Sequence, residues 1–334
     1  MPVLQKPGYK GSFLSVNKHF ETIYPALFRK VSNPPAVRRE RLEMKDGDFL
    51  DIDYAIQHTA NRNNRVVIIT HGLEGDSSRP YIKGMTKAFY AFGWDVMAWN
   101  LRGCSGELNR LPRFYNSGAT EDLDAVVAEA VNRGYNEISL VGFSLGGNMT
   151  VKFLGESYAG QYPIASSVAF SVPLDLESCS VEIDKWHNYL YTRRFLNTLI
   201  KKVVRKAGIF PESFNTEGVR KIKSIFQFDE LVTGPLHGYE GAVDYYTRCS
   251  SAPFVPKVKT PLLVVNALND TFLSEKCYDE SAFSANPNTL LLKPQHGGHC
   301  GFAEFRNGST YWSEQVATEF CLHPERWLQG NQMV

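Results

Sequence analysis

Six short stretches of the chain are apolar almost without interruption. Arg65-Val66-Val67-Ile68-Ile69-Thr70 is the clearest, and Asp95–Trp99, Ile138–Val141, Ile164–Phe170, Pro261–Val265 and Thr289–Leu292 repeat the type. Runs this short and rich in branched residues predict strands buried on both faces, since a half-exposed strand would alternate polar with apolar. Helical stretches at Tyr81–Phe92, Ala119–Arg133 and Leu145–Glu156 lie between several of them. Strands alternating with helices predict an α/β architecture, a mostly parallel central sheet with helices on both faces. Upstream, Arg39–Met44 and Phe49–Ile56 flank the turn signal Asp46-Gly47-Asp48. The alternation in Leu50-Asp51-Ile52-Asp53-Tyr54 predicts a hairpin with one wet face.

The rhythm stops between residues 173 and 255. No buried strand is evident there, whereas Tyr189–Lys206 sets Phe195/Leu196, Leu199/Ile200 and Val203/Val204 against Arg193/Arg194, Lys201/Lys202 and Arg205/Lys206. That periodicity predicts an amphipathic helix. The expected organisation is an amino-terminal arm over 1–37, an α/β core over 38–172 and 256–334, and a helical cap inserted over 173–255. The cationic stripe reads either as a solvated face or as a contact for anionic headgroups.

The 334 residues include 36 Lys and Arg against 35 Asp and Glu, a net charge of +1. No global field exists to attract nucleic acid, so none is expected as a partner. Six cysteines at wide, irregular spacings, with no C-x-x-C pair, read as reduced and mostly buried thiols. The start of the sequence shows no leader pattern, and no apolar run reaches membrane-spanning length. A cytoplasmic protein without a transmembrane segment is the expectation.

The chemistry concentrates at Gly142-Phe143-Ser144-Leu145-Gly146. Gly-x-Ser-x-Gly between a buried strand and a helix is the nucleophile elbow, which exposes a serine hydroxyl at a helix N-terminus where negative charge is favoured. A serine hydroxyl needs a general base, itself oriented by a carboxylate. With such an elbow the acid and the histidine follow the serine in chain order. Asp270 follows Pro261–Val265, and the glycine-rich loop Gln295-His296-Gly297-Gly298-His299, read as mobile, follows Thr289–Leu292. Ser144, Asp270 and His299 form the candidate triad, with Asp175 the alternative acid and His296 the alternative base. The oxyanion hole needs two fixed N–H donors. Leu145 offers one, and Leu73, in His71-Gly72-Leu73-Glu74-Gly75, offers the other. His71 precedes the elbow and is read as shaping that loop. The His-x-x-His spacing is interrupted by two glycines and has no third ligand cluster beside it, so no metal or other cofactor is expected.

Together with Trp99-Asn100-Leu101-Arg102-Gly103-Cys104-Ser105-Gly106, Asp244-Tyr245-Tyr246 and Gly297-Gly298-His299-Cys300-Gly301-Phe302, these motifs resemble the YheT-like α/β-hydrolases, which are related to plant embryogenesis-associated hydrolases. The similarity runs in order over about residues 40 to 320. It implies the α/β-hydrolase fold and a serine hydrolase acting on carboxylic esters, and it favours His299 over His296. One departure is Asn269-Asp270-Thr271, where relatives often carry an Asp-Asp-Pro-like sequence. Membrane-anchored relatives also carry an amino-terminal hydrophobic span that this sequence lacks. The expected substrate is a small-molecule or lipid ester. A lipid-surface lipase or acyltransferase, with peripheral membrane contact through the cap, and a non-catalytic binding protein of the same fold are the alternatives. The oligomeric state is left open.

Overall fold

A computed structural model describes residues 3–4, 9–32, 34, 37–57, 63–214, 216–304 and 310–329. Its centre is a nine-stranded sheet built from β1 (Val3–Leu4), β2 (Val37–Glu43), β3 (Phe49–Ala55), β4 (Arg65–Thr70), β5 (Asp95–Trp99), β6 (Glu137–Phe143), β7 (Ile164–Phe170), β8 (Leu262–Val265) and β9 (Thr289–Leu292). The spatial order is β1-β9-β8-β7-β6-β4-β5-β3-β2. Pairings from β1 across to β5 are parallel, and only β3 is reversed, antiparallel to both of its neighbours, β5 and β2.

The apolar runs are explained by packing on both faces. Val66 and Ile68 of β4 enter one core cluster, while Val67 and Ile69 enter the other. The first cluster includes Leu123, Val126 and Val127 of a helix over Thr120–Asn132 and Met149 and Phe153 of a helix over Leu145–Gly155. On the opposite face lie Ile82, Met85 and Phe89 of the helix Pro80–Ala91 and Val316 and Phe320 of the helix Trp312–Leu322. Each such side chain contributes about 1.5–3 kcal/mol when fully buried, so both layers hold the sheet rigid beneath its loops.

The β2–β3 hairpin forms in the expected place, but its polar face is not simply wet. Arg39 pairs with Asp53 at 2.6 Å and Arg41 with Asp51 at 2.8 Å, and Ser105 donates to Asp51, which is buried. Arg102 accounts for the Leu-Arg-Gly segment after β5. It is buried against Asp48 and Asp122 at 2.8 and 2.7 Å, tying the hairpin turn to the Thr120–Asn132 helix.

Between β7 and β8 the described residues contain helices and no strand, including Leu176–Ile183, Tyr189–Ala207 and Ala242–Cys249. The basic stripe of Tyr189–Ala207 divides in a way its periodicity did not predict. Arg193, Arg194, Lys201 and Arg205 are exposed, but Lys206 is buried and donates to the Leu111 carbonyl, and Lys202 turns inward. Two of the six basic side chains therefore belong to the interior rather than to a solvated face. Among the described residues no helix is long and apolar enough to cross a membrane. All six cysteines are free thiols, and all but Cys300 are buried.

Candidate active site

Parallel strands deliver their carboxyl ends to one edge of the sheet, and the loops that carry chemistry leave from that edge. Ser144 follows β6 directly and has φ +53° and ψ −119°, a backbone conformation costly for any residue with a Cβ. The turn is held by close packing. A Cβ on Gly142 would sit 2.5 Å from the Gly146 carbonyl oxygen, and one on Gly146 would sit 2.5 Å from that of His71. Asn148 anchors the following helix, donating to the Ser117 and Cys249 carbonyls and accepting from the Ser251 N–H.

The three candidate catalytic side chains, 155 and 29 residues apart in sequence, are in contact. His299 Nε2 lies 2.9 Å from Ser144 Oγ, and His299 Nδ1 lies 2.9 and 3.1 Å from the two Asp270 carboxylate oxygens. An ionised carboxylate at Nδ1 fixes the proton there and leaves Nε2 as the acceptor facing the serine. Phe272 covers the imidazole with ring centroids 4.3 Å apart. Burial by itself would depress the imidazole pKa, but the contacting Asp270 carboxylate, with the neighbouring Cys300 sulfur adding to it, outweighs burial and holds the group above its ordinary value.

The alternative acid and base are placed elsewhere. Asp175 caps the Leu176–Ile183 helix, accepting from the Ser178 N–H at 2.9 Å, and pairs with Lys276. His296 faces the arm, where its ring lies against Gly11. His71 is fully buried, its Nδ1 donating to the Gly72 carbonyl and its Nε2 accepting from the Leu101 N–H. Burial lowers its pKa to about 4, so it is a neutral strut under the loop after β4.

Leu73, in that loop, and Leu145, at the start of the elbow helix, line the same cavity as Ser144 and His299. The next residue, Glu74, has φ +52° and is pinned from several sides. Its N–H donates to Tyr115 Oη, its carboxylate accepts from Tyr115 Oη and Lys202 Nζ (2.7 Å each), and its carbonyl accepts from Arg79. The Glu74 and Lys202 side chains are only 4% and 16% exposed. Lys202 belongs to the segment between β7 and β8, so that segment reaches down to the loop carrying Leu73. Spacing alone gave no means of separating Lys202 from its solvated neighbours.

The cavity has two lobes meeting at Ser144. An apolar lobe is walled by Leu145, Leu176, Leu199, Phe228 and Val232. A second cleft runs between the helix Lys18–Phe28 and the helix Tyr189–Ala207, past Thr22, Leu27, Tyr191 and Arg194.

Comparison with known proteins identifies the family. A family model described as alpha/beta hydrolase fold matches residues 65–305. The YheT protein of Escherichia coli is 33% identical over 318 residues, 94% of this chain and 88% of that protein. Embryogenesis-associated protein EMB8 of Picea glauca is 32% identical over 322 residues, 91% of this chain and 70% of that protein. A solved structure of the Pyrococcus furiosus esterase Pf2001 superimposes with a TM-score of 0.58 at 16% identity, covering 90% of this chain and 96% of that one, which supports the shared fold. The chain thus belongs to the α/β-hydrolase family, in the group that includes YheT and EMB8.

Proposed function

We propose that this protein is a serine hydrolase that cleaves carboxylic esters through an acyl-enzyme. The observation that carries the reading is the continuous relay from Ser144 Oγ through His299 to Asp270 at the junction of a two-lobed cavity. Nε2 of His299 takes the hydroxyl proton as Ser144 Oγ attacks the ester carbonyl carbon. The tetrahedral oxyanion is held by the Leu73 and Leu145 N–H groups. Its collapse breaks the carbon–oxygen bond to the alcohol, which leaves with the proton returned by His299. Water, deprotonated by the same imidazole, then attacks the acyl-serine, releasing the acid and restoring Ser144. The apolar lobe suits the acyl chain, and the second cleft suits the departing alcohol. Residues 173–255 act as the cap that walls both.

The test is hydrolysis of a chromogenic short-chain ester together with labelling by a fluorophosphonate, each compared with Ser144→Ala. Loss of both in the variant is expected. Turnover retained in Ser144→Ala would sink the assignment, and a wild-type chain that neither labels nor turns over would be a binding protein on this fold.

A second reading, in which the ester is taken from a lipid surface, is favoured by one observation. Trp186, Tyr189 and Leu190 are 88%, 57% and 74% exposed, on the same helical segment as Arg193 and Arg194 beside the second cleft. Apolar and aromatic side chains rimmed by arginine match an anionic membrane surface. Co-sedimentation with anionic vesicles, weakened by salt and by Trp186→Ser/Leu190→Ser, is the expected result, and absence of binding removes this reading.

A further inference from the structure

Backbone N–H groups in an irregular loop must find acceptors, and the loop that carries His299 is irregular throughout. Gly297, Gly298, Cys300 and Phe302 all have positive φ, from +41° to +143°, so neighbouring carbonyls are turned away from a regular ladder. The N–H groups are nonetheless satisfied in series. Gly297 donates to Glu21 Oε2 at 3.3 Å, Gly298 to Asn269 Oδ1 at 3.0 Å, and His299 to Thr22 Oγ1 at 2.9 Å. Beyond them, Cys300 donates to Ser171 Oγ, and Gly301 and Phe302 to the Gly297 carbonyl. Glu21 and Thr22 both lie on the helix Lys18–Phe28, in the arm.

The fit is tight. Glu21 is 1% exposed, and its carboxylate also accepts from Ser15 Oγ and from Asn269 Nδ2, the side chain that serves Gly298. The Thr22 hydroxyl donates to the Lys18 carbonyl, which leaves its lone pair directed at His299. A Cβ on Gly298 would lie 2.7 Å from Thr22 Oγ1, and one on Gly301 would overlap the Glu21 carbonyl. The two glycines thus let the loop lie directly against the helix. The helix is itself fixed to the body by the buried ion pair Arg29–Glu314 at 2.6 Å, with the Arg29 guanidinium 3.6 Å over the Tyr311 ring.

We propose that the amino-terminal helix is a positioning element of the active site, in which Glu21 and Thr22 set the catalytic histidine through its backbone. This rests on the reading of His299 as the general base. The imidazole must meet Ser144 and Asp270 at the same time, and the loop's own backbone bonds, from Gly301 and Phe302 to the Gly297 carbonyl, do not hold the His299 N–H. Side chains from the arm do so instead, and the same helix walls the cleft assigned to the alcohol.

The test uses this chain with Thr22→Val, which replaces the hydroxyl by a methyl of similar size and so removes the acceptor, Thr22→Ser, which keeps it, and Glu21→Gln. In Thr22→Val, kcat for a chromogenic ester and the rate of fluorophosphonate inactivation should both fall about tenfold, since small misplacements of reacting groups are costly. KM should stay within about twofold and Tm should drop by less than about 4 °C, the shift expected for one lost hydrogen bond. Thr22→Ser should recover most of the lost rate, and Glu21→Gln should resemble Thr22→Val. A proton NMR readout needs no turnover: the low-field signal lost in His299→Ala, from Nδ1–H, should exchange about tenfold faster in Thr22→Val. Unchanged rates and an unchanged proton signal would overturn the proposal, as would a loss that follows Tm and is not recovered by Thr22→Ser. If the wild-type chain proves inert to ester and phosphonate, the hydrolase reading fails while the proton signal still decides whether the arm sets the imidazole.

Discussion

Replacing Lys202 with methionine tests whether the helical segment between β7 and β8, the proposed cap, and the loop after β4, the proposed oxyanion loop, act as one unit. The Lys202 ammonium stands 2.7 Å from the Glu74 carboxylate in a nearly closed site. At an effective dielectric constant of about 20, that separation corresponds to roughly 6 kcal/mol of gross Coulomb attraction. Most of it is offset by the desolvation of both groups, so the pair's net worth is small. Removing one partner has a larger effect, because Glu74 keeps its desolvation penalty and retains only Tyr115 and its own backbone anchors. A destabilisation of about 3–5 kcal/mol is expected for Lys202→Met. The double variant Glu74→Gln/Lys202→Met leaves no buried charge and should cost much less than the two single changes combined. The predicted coupling is about 2 kcal/mol or more. Urea unfolding of the four proteins, with equal m values, measures it. In parallel, kcat should fall in Lys202→Met because Glu74 shares its peptide with Leu73. Single effects that add to within about 0.5 kcal/mol would refute the reasoning.

Three further outcomes follow from the same contacts. Asp270 holds the His299 pKa above its usual value, so the acidic limb of kcat/KM should have an apparent pKa above about 6.5, activity rising as the imidazole loses its proton. In Asp270→Asn that limb should move to lower pH and kcat should drop by about four orders of magnitude, because the amide favours the wrong tautomer; an unmoved limb would point to another base. Gly146→Ala should abolish labelling of Ser144 by a fluorophosphonate, since its methyl would press on the Thr70 and His71 carbonyls; normal labelling would mean the elbow is looser than described. Val232→Phe narrows the apolar lobe and should reduce turnover of long-chain esters more than of acetate esters in a graded series, whereas a uniform effect would remove that lobe from the acyl path.

The elements legible in advance were those whose signal is local. The helix Tyr189–Ala207 begins where its periodicity does, and the helices Pro80–Ala91, Thr120–Asn132 and Leu145–Gly155 differ by about a residue at their ends from the expected spans. Burial on both faces of a parallel sheet writes an unbroken apolar run, and an elbow writes Gly-x-Ser-x-Gly because only glycine fits beside the neighbouring carbonyls. Buried polar anchors leave no such trace. Asp51 alternates as a surface residue would, yet Arg41 and Ser105 bury it, and Lys202 repeats with the same period as the exposed Lys201 and Arg205.

The sequence by itself determined the parallel strand pattern, the elbow that presents the candidate nucleophile and the chain order in which a candidate acid and base could follow it. Only the tertiary structure brings Asp270, rather than Asp175, into contact with His299, and His299, rather than His296, into contact with Ser144, because each contact depends on which loops meet across the sheet edge. It also decided what holds those loops. The acceptor for the His299 N–H lies 277 residues away and the cation facing Glu74 lies 128 residues away. A hydrogen bond or ion pair depends on distance and burial in space, and neither is written in the local spacing of a chain.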